Sequence, residues 1–203
     1  MAAPVQILVH PVWLRATHWI NAVAIFVMVT SGWQIYNASP LFAFRFPGAI
    51  TLGGWLAGGL LWHFAAMWVV VANGLVYLAC NLLGGRISSQ FLPVSLRKAR
   101  LELAAALRLK LGHQDLRVYN ALQRLAYLFV WFDVALLVVS GLVLWKSVQF
   151  STLRVLLGGY EGARLVHFGA MTALVGFTLV HLVMVAVVPR SLWIMVRGLK
   201  VAS

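Results

Sequence analysis

Cysteine and acidic residues are almost absent from this sequence. Cys80 is the only cysteine, and four acidic residues stand against sixteen lysines and arginines. A single thiol excludes a disulfide within the chain and cysteine ligation of an iron–sulfur cluster. Charged residues make up only 10% of the chain, 63% is hydrophobic, and the mean hydropathy is +0.92. No soluble fold could bury that much apolar surface, so a bilayer is the expected environment.

Long apolar runs occur at roughly 17–35, 56–81, 122–145 and 165–188. A helix needs about 20 apolar residues to cross a bilayer, and a backbone in hydrocarbon must satisfy its own hydrogen bonds. The runs do not alternate as barrel strands do. We therefore predict an all-α integral membrane protein, a four-transmembrane-helix bundle forming one domain over residues 1–203. No A-x-A cleavage site follows the first run, so we expect that segment to be retained.

The basic residues are unevenly distributed along the chain. Twelve of the sixteen lie before the first run, from Arg86 after the second run to Arg124 at the start of the third, or after the fourth run. The other two connections contain only Arg45, Lys146, Arg154 and Arg164. By the positive-inside rule, both termini and the long middle connection are cytoplasmic and the protein lies in a bacterial inner membrane. The net charge of +12 therefore reflects topology, and we expect no nucleic-acid partner.

The middle connection contains a second type of helical pattern. Between Ser95 and Leu111, leucines recur at near-helical spacing among basic residues. This predicts an amphipathic helix at the membrane surface. Attraction to anionic lipid and docking of a cytoplasmic partner are both open interpretations.

Four of the six histidines lie within or at the ends of the apolar runs. A lone intramembrane histidine is often a helix-to-helix hydrogen bond, but four together indicate ligands. His63 and His167 come early in runs that start from the outer side, whereas His18 and His181 lie toward the cytoplasm. Depth therefore sorts them into an outer pair, His63 with His167, and an inner pair, His18 with His181.

The spacing within the fourth run points to haem. His167 and His181 are fourteen residues apart, within about 40° of four whole turns, so both leave one helix face roughly 21 Å apart. The four histidines therefore suit two haems b, each with two neutral imidazole ligands. An iron with two such ligands has no site for dioxygen, which favours electron transfer over oxygen activation. A metal-transport site would instead have its ligands, carboxylates among them, clustered at one depth. Asp133 is the only carboxylate in the four apolar runs, which disfavours such a site. The alternative from another class is a haem-free metal or small-molecule transporter.

Two arginines stand where haem propionates would need cations. Arg15 is three residues before His18, and Arg164 is three before His167, so each shares a helix face with its histidine. Snorkelling arginines that anchor helix ends are the alternative interpretation.

The residues resemble the prokaryotic cytochrome b561 family, especially the di-haem cytochrome b subunits of formate dehydrogenases and nickel–iron hydrogenases. The resemblance covers nearly the whole chain. It rests on Arg15-Ala-Thr-His18-Trp19, His63, Tyr119-Asn120-x-x-Gln123, Ser140-Gly141, His167 and His181.

The resemblance implies the same ligand pairs for an outer and an inner haem. It also implies a menaquinone site near the inner haem that uses Asn120, together with Gln123. Capping of the third helix by Asn120 is the structural alternative. An arginine that often precedes the second-span histidine is absent here, where Leu60, Leu61 and Trp62 stand. The resemblance does not name the partner.

The leading functional hypothesis is an electron-transfer subunit between a periplasmic oxidoreductase, of molybdopterin or hydrogenase type, and the quinone pool. An alternative within the family is a stand-alone superoxide:ubiquinone oxidoreductase, with the outer cations attracting the anion. Asp133 and His113 are further polar groups that could serve proton transfer. The outer loop 37–50 could dock the partner or form an interfacial aromatic belt. Oligomeric state stays open, a homo-oligomer included.

Overall fold

The computed structural model describes residues 6–86, 93, 95–108 and 119–201, and confirms the predicted class of fold. Four helices in this part of the chain are long and apolar enough to cross a membrane: α1 (Val12–Ala38), α2 (Leu56–Leu83), α4 (Ala121–Trp145) and α6 (Gly159–Val187). Three shorter helices are α3 (Leu96–Leu107), α5 (Ser151–Leu156) and α7 (Pro189–Arg197). The protein is a multi-pass membrane protein.

The spanning helices are longer than the apolar runs that predicted them. Helix α1 begins at Val12 rather than Thr17, and α6 begins at Gly159 rather than Leu165. Hydropathy detects only the part of a helix that lies in hydrocarbon, because polar residues are tolerated beyond it. Arg15 and Arg164 therefore lie within the first turns of α1 and α6 and not in the preceding loops.

The chain divides into two compact units, residues 1–84 with 188–203, and residues 85–187. In the first unit α1 packs against α2 as a helical hairpin. The hairpin is tight at its outer end, where a methyl group on Gly59 would lie 3.1 Å from the Gln34 side chain. Small residues allow this close approach of helices in a membrane, where packing drives association.

The two chain ends meet in the first unit. Strand β1 (Gln6–Leu8) pairs antiparallel with β2 (Leu199–Val201). Helix α7 ends at Gly198, which adopts a left-handed φ of 78°. Arg15 Nη1 donates to the Val196 carbonyl at 2.6 Å, which satisfies a carbonyl in the last turn of α7. Residues 6–8 and 199–201 are therefore neighbours, as we expect of a chain with an even number of spans.

In the second unit α4 packs against α6, with α5 in the connection between them. The predicted amphipathic helix is present as α3, and the residues beyond 108 in the predicted range lie outside the described residues. Helix α3 contacts α4, and the Leu122 amide donates to Glu102 Oε2 at 2.8 Å. A carboxylate at the start of α4 also interacts favourably with the helix dipole. One side of α3 therefore packs on protein, which neither interpretation of the sequence included.

Candidate haem-ligand histidines

His63 of α2 is held by α1 through its Nδ1 atom. Nδ1 lies 3.1 Å from the Met28 carbonyl oxygen and 3.1 Å from Ser31 Oγ. A carbonyl oxygen can only accept, so Nδ1 carries the hydrogen. The Ser31 hydroxyl gives its own hydrogen to the Val27 carbonyl at 2.6 Å, which leaves its oxygen to accept from the ring.

His167 of α6 is held in the same way by α4. Its Nδ1 lies 2.9 Å from Ser140 Oγ, and that hydroxyl donates to the Leu136 carbonyl at 2.7 Å. With that hydrogen on the Leu136 carbonyl, the hydroxyl oxygen can accept from an imidazole that carries its hydrogen on Nδ1. In a neutral ring with hydrogen on Nδ1, the lone pair is on Nε2. The contacts of both rings suit the tautomer that ligates a metal through Nε2.

The other two candidate ligands are placed by aromatic and backbone contacts. The His18 ring meets Trp19 edge-on at 5.4 Å between ring centroids. The preceding residue, Thr17, accepts a hydrogen bond from buried Asn73 of α2 at 2.8 Å through its carbonyl. The His181 ring stacks on Phe177 at 6.2 Å, with an angle of 10° between the planes. These contacts show where each ring lies relative to its own helix and, for His18, how the backbone beside it is bonded to α2.

Each unit carries two of the four candidate ligands, and the two lie at different depths. In the first unit, His63 contacts Ser31, which follows His18 by thirteen residues on α1, roughly 20 Å along the axis. In the second, His181 follows His167 by fourteen residues on one uninterrupted helix, roughly 21 Å. Each hairpin therefore brings one histidine to each end, which the prediction of two ligand pairs requires.

Arg15 and Arg164 both have protein partners. Arg15 uses Nη1 on Val196, while its Nε is buried with no hydrogen-bond partner within the described part of the chain. A buried donor on a cation one turn from His18 suits an anionic group. Arg164 pairs with Glu161 at 2.8 Å, and the Glu161 side chain is 69% exposed. An exposed pair contributes only ~0–1 kcal/mol, so Arg164 can exchange it for another anion.

Asn120 and Gln123 form the N-terminal capping box of α4. Asn120 Oδ1 accepts from the Gln123 amide at 2.7 Å, and Gln123 Oε1 accepts from the Asn120 amide at 3.1 Å. This reciprocal arrangement satisfies two backbone donors at the helix start. The capping interpretation of Asn120 is therefore confirmed. The side-chain NH₂ groups of both residues take no part in the box.

Asp133 lies in the middle of α4 and is 4% exposed, as its position in an apolar run predicted. Its Oδ2 has no hydrogen-bond partner among the residues that the structure covers. His113 lies outside the described residues. The described residues also contain no cluster of three or more His, Cys, Asp or Glu side chains suited to a metal ion.

Ser31 is the site residue that sequence reasoning missed. Ser140-Gly141 was part of the family resemblance, but the same dipeptide, Ser31-Gly32, stands in the first span. In each unit a serine followed by glycine precedes the histidine near the start of the next spanning helix, His63 or His167. That repetition was visible in the sequence, although a serine in a helix more often bonds only its own backbone.

Comparison with known proteins identifies the class. The family profile described as prokaryotic cytochrome b561 matches residues 9–198. The chain therefore belongs to the prokaryotic cytochrome b561 family, and it is a membrane haem protein of electron transfer. It is 59% identical over 190 residues to the putative protein-methionine-sulfoxide reductase subunit YedZ1 of Azospira oryzae. That match covers 94% of this chain and 96% of the relative.

The residues present fit haem b. Nδ1-protonated imidazoles at His63 and His167 offer the nitrogen that binds haem iron. The buried Nε of Arg15 offers a donor to an acidic substituent. Family membership leaves no support for the haem-free transporter.

Proposed function

We propose that this chain carries electrons outward from the quinone pool to a periplasmic methionine-sulfoxide reductase. The observation that carries the proposal is the 59% identity, over nearly the full length of both chains, to a relative described as a putative subunit of such a reductase. The sequence predicted a periplasmic oxidoreductase as the partner. We propose that this oxidoreductase is one that repairs oxidised methionine.

The chemistry of the partner would set the direction of flow. Reduction of a methionine sulfoxide to the thioether takes two electrons and two protons and releases the oxygen as water. Oxidation of a quinol to a quinone releases two electrons and two protons. Quinol is therefore the reductant on the inner side, and the sulfoxide is the final acceptor on the outer side.

Four histidines would hold two haems b, which when bound take up and release single electrons. We assign His63 and His167 to the outer haem and His18 and His181 to the inner haem. The support is their order along the spans, together with the separation of roughly 20 Å between the two histidines of each hairpin. With two imidazole ligands, each iron would have no coordination site left for dioxygen.

Polar residues at the helix ends would bind the charged and quinoid groups. Arg15 offers its buried Nε to the inner propionates, and Arg164 offers a guanidinium whose Nη1 is paired with an exposed carboxylate. The NH₂ groups of Asn120 and Gln123 lie outside the capping box, so they can donate to a quinone carbonyl without unwinding α4.

Reconstitution with the reductase tests the proposal. The purified protein is reduced with menadiol, and the haem absorbance is followed after addition of the periplasmic reductase and a peptide containing methionine sulfoxide. We expect two haems b per chain by the pyridine haemochrome method. We also expect reoxidation only when reductase and sulfoxide are both present. Haems that stay reduced with both present would rule out this partner.

The superoxide:ubiquinone alternative receives less support. It relied on four outer cations, and two of them have local partners: Arg164 pairs with Glu161, and Lys146 lies 5.2 Å from the Trp145 ring centre. Rapid haem reduction when superoxide is added to the isolated protein would favour this alternative instead.

A further inference from the structure

Ser31 and Ser140 occupy equivalent positions in the two hairpins. Each lies on the first helix of its hairpin and gives its hydroxyl hydrogen to a carbonyl of its own helix, at 2.6 and 2.7 Å. Each places its oxygen on a histidine Nδ1 of the second helix, at 3.1 and 2.9 Å. A backbone bond alone would satisfy the serine, so the contact with the ring is a second, independent interaction.

We propose that Ser31 and Ser140 are positioning residues for the outer haem. Each accepts the Nδ1 hydrogen of a ligand histidine, and at His63 the Met28 carbonyl shares this hydrogen. The acceptors hold the neutral tautomer and make Nε2 the ligating atom. The inference rests on the proposed function, because it takes His63 and His167 as the outer ligands.

The choice of a hydroxyl has a physical reason. A ligand histidine is normally oriented by an acceptor on its second nitrogen, and that acceptor raises the basicity of the ligating nitrogen. A carboxylate would do this most strongly, but a charge within the bilayer is costly. A serine whose hydrogen is already bonded to its helix supplies a neutral acceptor at this depth. A more basic ligand stabilises ferric iron, so the serines lower the potential of the outer haem.

The test is a redox titration of the holoprotein with Ser140→Ala and with Ser31→Ala. In Ser140→Ala we expect the potential of one haem component to shift upward, and the affinity for that haem to fall by roughly 10-fold or more. In Ser31→Ala we expect a smaller shift of the same component, because the Met28 carbonyl still accepts from His63. The shifted component should be the one that survives in a His181→Ala variant. Ser140→Thr keeps a hydroxyl and should restore the wild-type potential.

Thr172→Val is the matched control for loss of a helix-internal hydroxyl. Thr172 lies on α6 and donates to the Phe168 carbonyl at 2.9 Å, as Ser140 does to its own helix. This variant should leave both potentials unchanged. A shift confined to the inner haem, or no shift in either alanine variant, would overturn the proposal. If Ser140→Ala loses the outer haem outright, retention of that haem in Ser140→Thr supports the proposal, and its loss there contradicts it.

Failure of the proposed function has a different signature. A wild-type protein without haem, or one that the reductase does not oxidise, would refute the function. If the wild-type protein binds haem and reduces the partner, but neither serine variant changes a haem potential, only the inference about the serines is refuted.

Discussion

At the scale of single residues, the capping box gives Asn120 two roles that substitution can separate. Asn120→Ala removes the cap and should lower stability by ~1 kcal/mol. Asn120→Ser keeps a capping oxygen and removes the side-chain NH₂, so it should retain wild-type stability. If that NH₂ binds quinone, both variants keep two haems and exchange electrons with menadiol more slowly.

Stopped-flow haem reduction by menadiol and thermal unfolding distinguish the two roles. Wild-type kinetics in Asn120→Ser would remove Asn120 from the quinone site. If Asn120→Ser loses as much stability as Asn120→Ala, the helix cap depends on more than a side-chain oxygen at this position.

Single residues also mark where sequence reasoning stops. The histidines were recognised because imidazole is rare in hydrocarbon and costly without a partner. Ser31 was not, because the sequence does not show whether a helical serine bonds its own backbone or a neighbouring ring. The structure shows both bonds at one atom.

At the scale of elements, the end of α7 depends on a glycine. A methyl group on Gly198 would lie 2.9 Å from Arg15 Nε and 2.9 Å from the His10 carbonyl, and its φ of 78° disfavours other residues. We expect Gly198→Ala to destabilise the paired chain ends by ~1–3 kcal/mol. Amide hydrogen exchange at Val9, which donates to the Gly198 carbonyl at 2.9 Å, measures the effect.

Gly74→Ala is the matched control for this change. Gly74 lies inside α2, and a methyl group there would meet nothing within 4 Å. Alanine favours a helix over glycine by up to ~1 kcal/mol, so this variant should be neutral or more stable. Unchanged exchange at Val9 in Gly198→Ala would show that the paired chain ends do not depend on the glycine.

The outer loop is a second element with a defined internal structure. The Asn37 side chain makes two hydrogen bonds of 2.8 Å with the backbone of Phe46, and the Phe46 ring stacks on Trp33 at 4.7 Å. Phe42 and Phe44 remain 48% and 46% exposed. An ordered loop with exposed aromatic rings is compatible with either sequence interpretation, a docking surface or an aromatic belt.

Asn37→Ala separates loop order from haem binding. We expect it to leave both backbone groups of Phe46 without their partner, to cost ~2 kcal/mol locally, and to retain both haems. Faster hydrogen exchange at the Phe46 amide measures the loss of order. Slower electron delivery to the reductase in the same variant would assign the loop to docking, and unchanged delivery would favour the aromatic belt.

At the scale of the whole molecule, hydropathy and charge predicted most of the architecture. The four spans follow from the free energy of placing a backbone in hydrocarbon, and the structure confirms them. The short elements α5, α7 and the terminal strands were not predicted, because they depend on contacts such as that of Arg15 with Val196, far apart in sequence. The orientation in the membrane and the ligand pairs stay predictions.

The proposed ligand pairs require histidines from different hairpins to share a haem. A redox titration that resolves the two haems, made on four alanine variants, tests this most directly. His63→Ala and His167→Ala should lose the same component and keep the other. His18→Ala and His181→Ala should lose the component that the first two retain. If His63→Ala and His167→Ala affect different haems, or if His181→Ala keeps both at full occupancy, the ligand pairs are wrong.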